Sequence, residues 1–307
     1  MSFPTAPGKV NIGSTTMRYI PALYAGKLLV KFYDNTVLGA IANTDYEGQI
    51  RKFGDTVYIR TVPTITIQTY RKGATLTNEQ PESTATTLEI DKGYYWSFVT
   101  DDLDKVQTDV KNFINEWTTD AAQQLKIEID TDVLGNVYSD VAAANAGLTA
   151  GADSSSLNMG VAGTPRVFSK TSAIDIIVDA GTVLDEQNVP ETGRFMILPP
   201  WAMGNIKKSD VKDASLMGDA KSVLRNQGLV GMIDRFEIYS SNLLAGTSAG
   251  QSCIFGTKHA ITFATQLTEN KVQDNPDGFG MLHRGLQVYG YKVVKPEALG
   301  HLYISAS

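Results

Sequence analysis

The chain has 307 residues, 42% of them hydrophobic and 20% charged, which is ordinary for a folded protein with a sizeable core and room for two subdomains. A net charge of −6 excludes a protein that binds nucleic acid through its overall charge, and a single cysteine, Cys253, excludes an internal disulfide and a cysteine-rich metal site. The opening MSFPTAPGKV has no apolar signal core and no apolar run approaches membrane-span length, so we expect a soluble, intracellularly made protein without membrane contact.

Residues 1–16 contain Pro4, Pro7, Gly8 and Gly13 with few apolar anchors, and are predicted to form an extended arm. Over 18–33, Ile20, Leu23, Tyr24, Leu28 and Phe32 follow a helical spacing. Up to residue 35 the positive charges Lys9, Arg18, Lys27 and Lys31 face only Asp34. Such an arm either touches nucleic acid or docks, solvated, on a neighbouring subunit; we prefer the second reading.

Two strand-like segments follow, 56–70 and 86–99, flanking a polar tip at 71–85. Val57, Ile59, Ile65 and Ile67 alternate with Thr56, Tyr58, Arg60, Thr64, Thr66 and Gln68, the period of a strand. Pro63 lacks an N–H donor and suits an edge or bulge. Arg71-Lys72-Gly73 and Asn78-Glu79-Gln80-Pro81 supply turn chemistry. A two-stranded ribbon with polar faces has little core of its own and is marginal in water. It should therefore be ordered by a neighbour, with Ile65, Ile67, Tyr70, Arg71, Lys72, Leu88 and Ile90 as the candidate inter-subunit residues.

A long helix is predicted over 104–134, about 46 Å at about 1.5 Å per residue. Asp101 or Asp102 would cap it, Gly135 would end it, and Val106, Val110, Phe113, Ile114, Trp117, Ala121, Leu125, Ile129 and Val133 form its apolar stripe. That phase makes Trp117 a core residue. Over 101–140 the acids Asp101, Asp102, Asp104, Asp109, Glu116, Asp120, Glu128, Asp130, Asp132 and Asp140 outnumber Lys105, Lys111 and Lys126 by ten to three. The acidic face is either simply solvated or an inner wall that repels phosphates.

Residues 142–165 are small and polar and read as a linker. Thr171 or Ser172 caps a second helix carrying Ile174, Ile177, Val178 and Leu184. The apolar run at 194–198 reads as a buried strand, ended by Pro199-Pro200, with Pro200 near the first position of a short helix. Residues 231–242 read as turn, strand, turn; 252–256 as a strand; 257–264 as a helical turn; 281–294 and 301–305 as strands broken by Pro296 and Gly300. Strands and helices mix without regular βαβ alternation, so the fold class is α+β.

Catalytic chemistry is hard to find. His259, His283 and His301 have no metal-ligand spacing with one another or with Cys253, and Cys253 with His259 lacks a third group. Asp101-Asp102-Leu103-Asp104 is explained either as a cation site or, more simply, as a helix start. There is no G-x-S-x-G and no phosphate-binding loop. Tyr94-Tyr95-Trp96, Tyr289 and Tyr291 suit packing better than base stacking, since no basic cluster surrounds them. Lys207-Lys208 complements a helix C-terminus. We expect no enzyme, no cofactor and no metal.

Several stretches resemble one family. Asp45-Tyr46-Glu47-Gly48, Gly54-Asp55-Thr56-Val57, the Leu88-x-Ile90-Asp91-Lys92 step and Asp101-Asp102-x-Asp104 with Gln107 are similar to the coat-protein branch of tailed-phage major capsid proteins with the Hong Kong 97-type fold. RFMILPPWAMGNI, GLVGMIDRFEIYSSNLL and HRGLQVYGYKVVKPEALGHLYIS resemble later segments of the same proteins, so the likeness covers most of 20–305. Asp234 departs from it, standing where glycine is usual.

The resemblance implies a Hong Kong 97-type subunit with an N-terminal arm (1–43), a peripheral domain (44–140 and 266–283) bearing an extended loop (51–99) and a spine helix (101–135), and an axial domain (141–265 and 284–307). It implies self-assembly as pentamers and hexamers into an icosahedral virion shell around double-stranded DNA, which the shell contacts non-specifically. It also implies assembly in the host cytoplasm, a portal protein and, possible in some relatives, a decoration protein. A separate scaffolding protein is expected because no long helical segment precedes residue 18. The alternatives are an encapsulin-like nanocompartment shell, which the DYEG and SSN segments disfavour, and a soluble α+β enzyme, for which no convergent polar set is present.

Overall fold

The computed structural model of the chain describes residues 9–12, 15–18, 31, 33–45, 56–63, 65–73, 75, 78–83, 85–101, 113–209, 232–247, 249–276 and 278–306. The arm opens with two paired strands, β1 (Lys9–Ile12) and β2 (Thr15–Arg18), with Lys9 opposite Arg18. The expected single extended arm is thus a hairpin where it is described, and Arg18 lies in β2. The rest of the helix expected over 18–33 lies almost wholly outside the described residues. A single helical turn, α1 (Leu38–Ile41), follows.

The ribbon differs from its expectation. Only β3 (Thr56–Arg60) and β4 (Ala85–Glu89) pair, from Thr56 opposite Glu89 to Arg60 opposite Ala85. Past Arg60 the described residues form no strand: Pro63 cannot donate to a ladder, and Ile65 and Ile67 have no strand beside them. The expected second ribbon strand splits at Ile90-Asp91. Its latter part becomes β5 (Lys92–Asp101), which leaves the ribbon for a different sheet.

The long helix is α2 (Phe113–Asn136), 24 residues and about 36 Å. Asp101 ends β5 and is not its cap, while Asp102, Val106 and Val110 lie outside the described residues. Gly135 does not terminate α2, because its backbone stays helical; the chain tightens into a 3-10 turn, Val137–Asp140, only after Asn136.

The remaining elements are β6 (Arg166–Phe168), α3 (Ala173–Glu186), β7 (Arg194–Leu198), α4 (Pro200–Lys208), β8 (Met232–Ile233), β9 (Phe236–Ser240), β10 (Gly246–Thr247), β11 (Gly250–Thr257), β12 (Ile261–Asp274), β13 (Gly280–Val293) and β14 (Leu299–Ala306). A mixed seven-stranded sheet runs β6-β14-β11-β7-β9-β8, with β10 on β11. An antiparallel three-stranded sheet runs β12-β13-β5. The helical turn expected over 257–264 is a tight reversal at 258–260, closed by the Ala260 N–H on Thr257 O, after which Ile261 already begins β12.

Asp234 explains its own departure from glycine. It and Arg235 sit at φ +44° and +67° in the two-residue loop between β8 and β9, a type I′ turn whose twist matches a hairpin. Aspartate tolerates that region, and its carboxylate packs against the Cα of Gly181 on α3, where no side chain intervenes.

One continuous core joins the two sheets. Strand β7 is buried along its whole length, and α3 covers the large sheet with Ile176, Ile177, Ala180, Val183 and Leu184, while Val178 faces solvent. The C-terminal half of α2 contributes Ile129, Val133 and Leu134 to the same core. A small second cluster, Ile59, Leu88, Ile90, Ala264 and Val288, roots the β3–β4 hairpin on the three-stranded sheet.

Candidate assembly surface

The chain between β3 and β4 carries exposed apolar side chains that nothing among the described residues covers. Val62 is 93% exposed, Ile67 91% and Tyr70 71%; Ile65 is exposed too, as are Arg71 and Lys72. Leu88 and Ile90 behave differently. Both are fully buried in the root cluster, so of the seven candidate contact residues these two face their own subunit and cannot reach a neighbour. The reason is register. Leu88 pairs with Val57 on the inward face of the hairpin, and β4 runs directly onto β13. Contact is close enough there that a Cβ on Gly290 would strike the Glu89 carbonyl. Glu79 bridges the two limbs of the loop by accepting the Thr66 N–H at 3.0 Å. Val62 was missed in the sequence because it sits beside Pro63, off the strand pattern.

The three-stranded sheet is held on α2 by one polar node. Asp132 accepts from Lys92 Nζ (2.8 Å) and Tyr289 Oη (2.8 Å), and Lys92 also donates to Tyr291 Oη (2.9 Å). Burial works against the Lys92 charge, but Asp132 and Tyr291 outweigh it and raise its pKa. Two other acids of the helix are also occupied. Asp130 is buried and accepts the Val37 and Leu38 N–H groups (2.7 and 3.2 Å), capping α1. Asp120 pairs with Lys31 at 2.7 Å and accepts from Tyr33. The acidic face is therefore smaller than its sequence count. Among described residues of α2 it reduces to Glu116 and Glu128, with Lys126 between them. An acid adjoining Ile129 and four residues before Leu134 was the available signal for Asp130.

Trp117 corrects another expectation: it is 44% exposed, touching Phe98 edge-on at 5.7 Å rather than filling the core. The stripe phase is right from Leu125 onward, whereas Trp117, near the start of α2, lies against Phe98 of the small sheet.

The groups considered for catalysis are dispersed. Cys253 is buried in β11 and burial pushes its thiol pKa up. His259 is exposed, and His283 stacks on Phe98 at 5.0 Å beside Thr100 Oγ1. Among the described residues no three His, Cys, Asp or Glu side chains group as a metal site. An open cleft of 1160 Å³ beneath the loop root mixes Arg60, Glu79, Glu82, His259, Lys295 and Glu297 without a convergent set. The arrangement offers surfaces for binding; it assembles no reaction centre among these groups.

Comparison with known proteins agrees. A family profile described as phage capsid protein matches residues 82–300. No curated protein matches in sequence. Solved structures do match in fold. One titled "Mycobacterium phage Che8" has a TM-score of 0.75 at 24% identity, covering 92% of this chain and 97% of that one. The capsid of cyanophage P-SCSP1u gives 0.68 at 16%, covering 100% and 99%. The mature capsid of bacteriophage PhiM1 gives 0.61 at 15%, covering 96% and 95%.

Proposed function

The chain belongs to the phage capsid protein family and has the Hong Kong 97-type fold, and from that premise we propose how this subunit builds its shell. As a major capsid protein it is a structural component of the virion that self-assembles. Its subunits form pentamers and hexamers that close into an icosahedron around double-stranded DNA. The loop between β3 and β4 lies across the peripheral domain of the adjacent subunit, with Ile65, Ile67, Tyr70, Arg71 and Lys72 in the contact. This is a heterologous interface, one patch against a different patch, as a closed ring requires. The working division is arm, peripheral domain with loop and spine helix, and axial domain, at the boundaries expected from the sequence. Assembly takes place in the host cytoplasm on a separate scaffolding protein, with a portal protein at one vertex and room for a decoration protein outside.

The observation that carries the loop's role is its pairing of a buried root with an exposed apolar span: Leu88 and Ile90 fix it, while Val62, Ile67 and Tyr70 are covered by nothing among the described residues. Isolated exposed apolar residues are common, but a run of them on one projecting segment marks an interaction site. Cryo-electron microscopy of the shells formed by this chain with its scaffold tests the reading. Five- and six-fold capsomers with Ile67 and Tyr70 covered by the next subunit are expected. Shells in which this loop stays bare would overturn it.

A further inference from the structure

Two buried side-chain atoms have no hydrogen-bond partner among the described residues: Asn145 Oδ1 and His301 Nε2. Both belong to one contact. Residues 137–145, containing the 3-10 turns Val137–Asp140 and Ala143–Asn145, lie as a strap over the start of β14. Asn145 Nδ2 donates to the carbonyls of Glu297 (2.6 Å) and Leu299 (2.9 Å), and the Ala142 N–H donates to Pro296 O (3.2 Å). Two residues beyond Leu299, the His301 ring stacks on Tyr138 of the strap, with centroids 5.1 Å apart and planes at 29°. Tyr303 meets the same ring edge-on at 6.4 Å.

We propose that this strap is an acid-released clamp, closed on β14 while the His301 ring is neutral and opened when the ring takes up a proton. A neutral imidazole stacks on a phenol while leaving one nitrogen as an idle lone pair. The imidazolium carries two N–H donors. Here the second donor would be buried without an acceptor, on a charge without a counter-charge. The titratable groups on the surrounding elements are few. The strap carries Tyr138 and Asp140, β14 carries Tyr303, and the 3-10 turn Pro296–Ala298 carries Glu297. Across the sheet face shared with Ile254 and Ile197 come Tyr239 and Glu237, whose side chains bond each other at 2.8 Å. No carboxylate among the described residues pairs with the ring.

Burial accordingly holds the His301 pKa down, to about 4. A base whose pKa is lowered in the closed state favours closure fully above its unperturbed value near 6.5, and loses that advantage as pH falls from there toward 4. Between pH 7.5 and pH 4.5 the open strap gains by roughly 70-fold.

The test is amide hydrogen exchange on the full chain at both pH values, with rates normalised to the intrinsic rate at each pH. In the wild type, protection of 137–145 should fall by more than about tenfold at pH 4.5 while α3 keeps its protection. His301→Phe retains a stacking ring with no proton to gain and should abolish the acid response. Unchanged wild-type protection, loss in step with α3, or an equal loss in His301→Phe would each overturn the proposal. Exchange at the imidazole C2–H reads the ring's pKa in the wild type whether or not the variant folds. A midpoint well below 6.5 supports the clamp, and one at or above 6.5 refutes it.

Discussion

Lys92 Nζ lies 2.8 Å from Asp132 Oδ2, and that contact joins the first residue of β5 to the long helix forty residues later. Tyr289 from β13 shares the same oxygen, so one carboxylate holds two strands of the small sheet against α2. Asp132→Ala strands a half-buried ammonium and a phenol together. The ammonium is about one-third exposed and regains some water, which keeps the loss below that of a fully buried pair, whereas Tyr289 is buried and its hydroxyl loses its acceptor. We expect about 2–3 kcal/mol, read as a lowered urea midpoint of unassembled subunits. Because the Lys92 pKa is raised on folding, its contribution is fully present below its unfolded value near 10.5 and disappears as pH climbs through the higher folded one.

The Asp130 charge works against the fold, where that of Lys92 supports it. Burial is the largest influence and raises its pKa, partly opposed by the N–H groups of Leu38 and Val37. An acid whose pKa rises on folding weakens the fold as pH climbs from its unfolded value near 3.8 through the folded one. Asp130→Asn keeps an acceptor for the cap and removes the charge, so it should be within about 1 kcal/mol of wild type at pH 7. Asp130→Ala leaves two buried N–H groups unpaired and should cost about 1–3 kcal/mol. Equal losses in both variants, measured by thermal melting, would show that the acceptor is not what matters.

Trp117→Ala should destabilise the subunit by about 1–2 kcal/mol, since nearly half of the side chain is already in water and it meets Phe98 edge-on. A buried tryptophan would cost about 3–5 kcal/mol. Melting of the variant separates the two readings, and a loss in the upper range would restore Trp117 to the core.

What the sequence made legible follows from where its patterns meet a partner. The apolar run 194–198 coincides with β7, and 281–294 falls within one residue of β13, because each has neighbours on both sides that fix its extent. At 56–70 the same period-two pattern continued past Arg60, yet pairing stopped there. Alternation says which residues share a face, not whether another strand lies alongside. The destination of β5 was hidden for a related reason: its ladder partner β13 is nearly two hundred residues away, and no local signal names a long-range partner. On α2 the stripe gave the phase but not the reach of the surface beneath it, which left Trp117 on the wrong side of the boundary. In the candidate contact set, exposure of Ile67 and Tyr70 followed from an uncovered loop, whereas Leu88 and Ile90 required knowing that β4 lands on β13.

Arg194 opens an otherwise apolar strand, yet its side chain is completely buried. Its guanidinium donates to Asp185 (2.7 Å) and to the carbonyls of Val189 (2.6 Å), Pro190 (3.0 Å) and Gly181 (3.4 Å). Burial alone would raise the Asp185 pKa, but Arg194 and Arg235 outweigh it and hold it below the usual carboxylate value. That stabilisation is present above the unfolded pKa near 3.8 and fades as pH falls through the folded one. Arg194→Met should cost about 3–5 kcal/mol, and Arg194→Lys should recover little, because an ammonium cannot reproduce the planar fork that meets four acceptors. Refolding yield and urea midpoints of the two variants check this; near-complete rescue by lysine would mean that charge, not geometry, is required.

The loop between β3 and β4 separates folding from assembly. Arg60 and Ala85 are already opposite each other in a ladder, so residues 61–84 can be replaced by a two-residue Asn-Gly turn without parting the strands. The root cluster of Ile59, Leu88 and Ile90 stays whole, as do both sheets and the main core. The removed segment contributes almost nothing to the subunit's own packing, because its described apolar side chains are open to solvent. Subunit stability should therefore change by less than about 1 kcal/mol. Assembly should fail, giving free capsomers or irregular aggregates in place of closed shells, since Val62, Ile67 and Tyr70 would no longer be available to a neighbour. A milder variant, Ile67→Asp with Tyr70→Asp, should act in the same direction by putting charge into a contact that has to lose water. Circular dichroism reports the fold and sedimentation velocity reports the particles. Closed shells of normal size from the loop-deleted chain would show that the neighbours are held by some other surface, and a subunit that fails to fold would show that the loop belongs to the core after all.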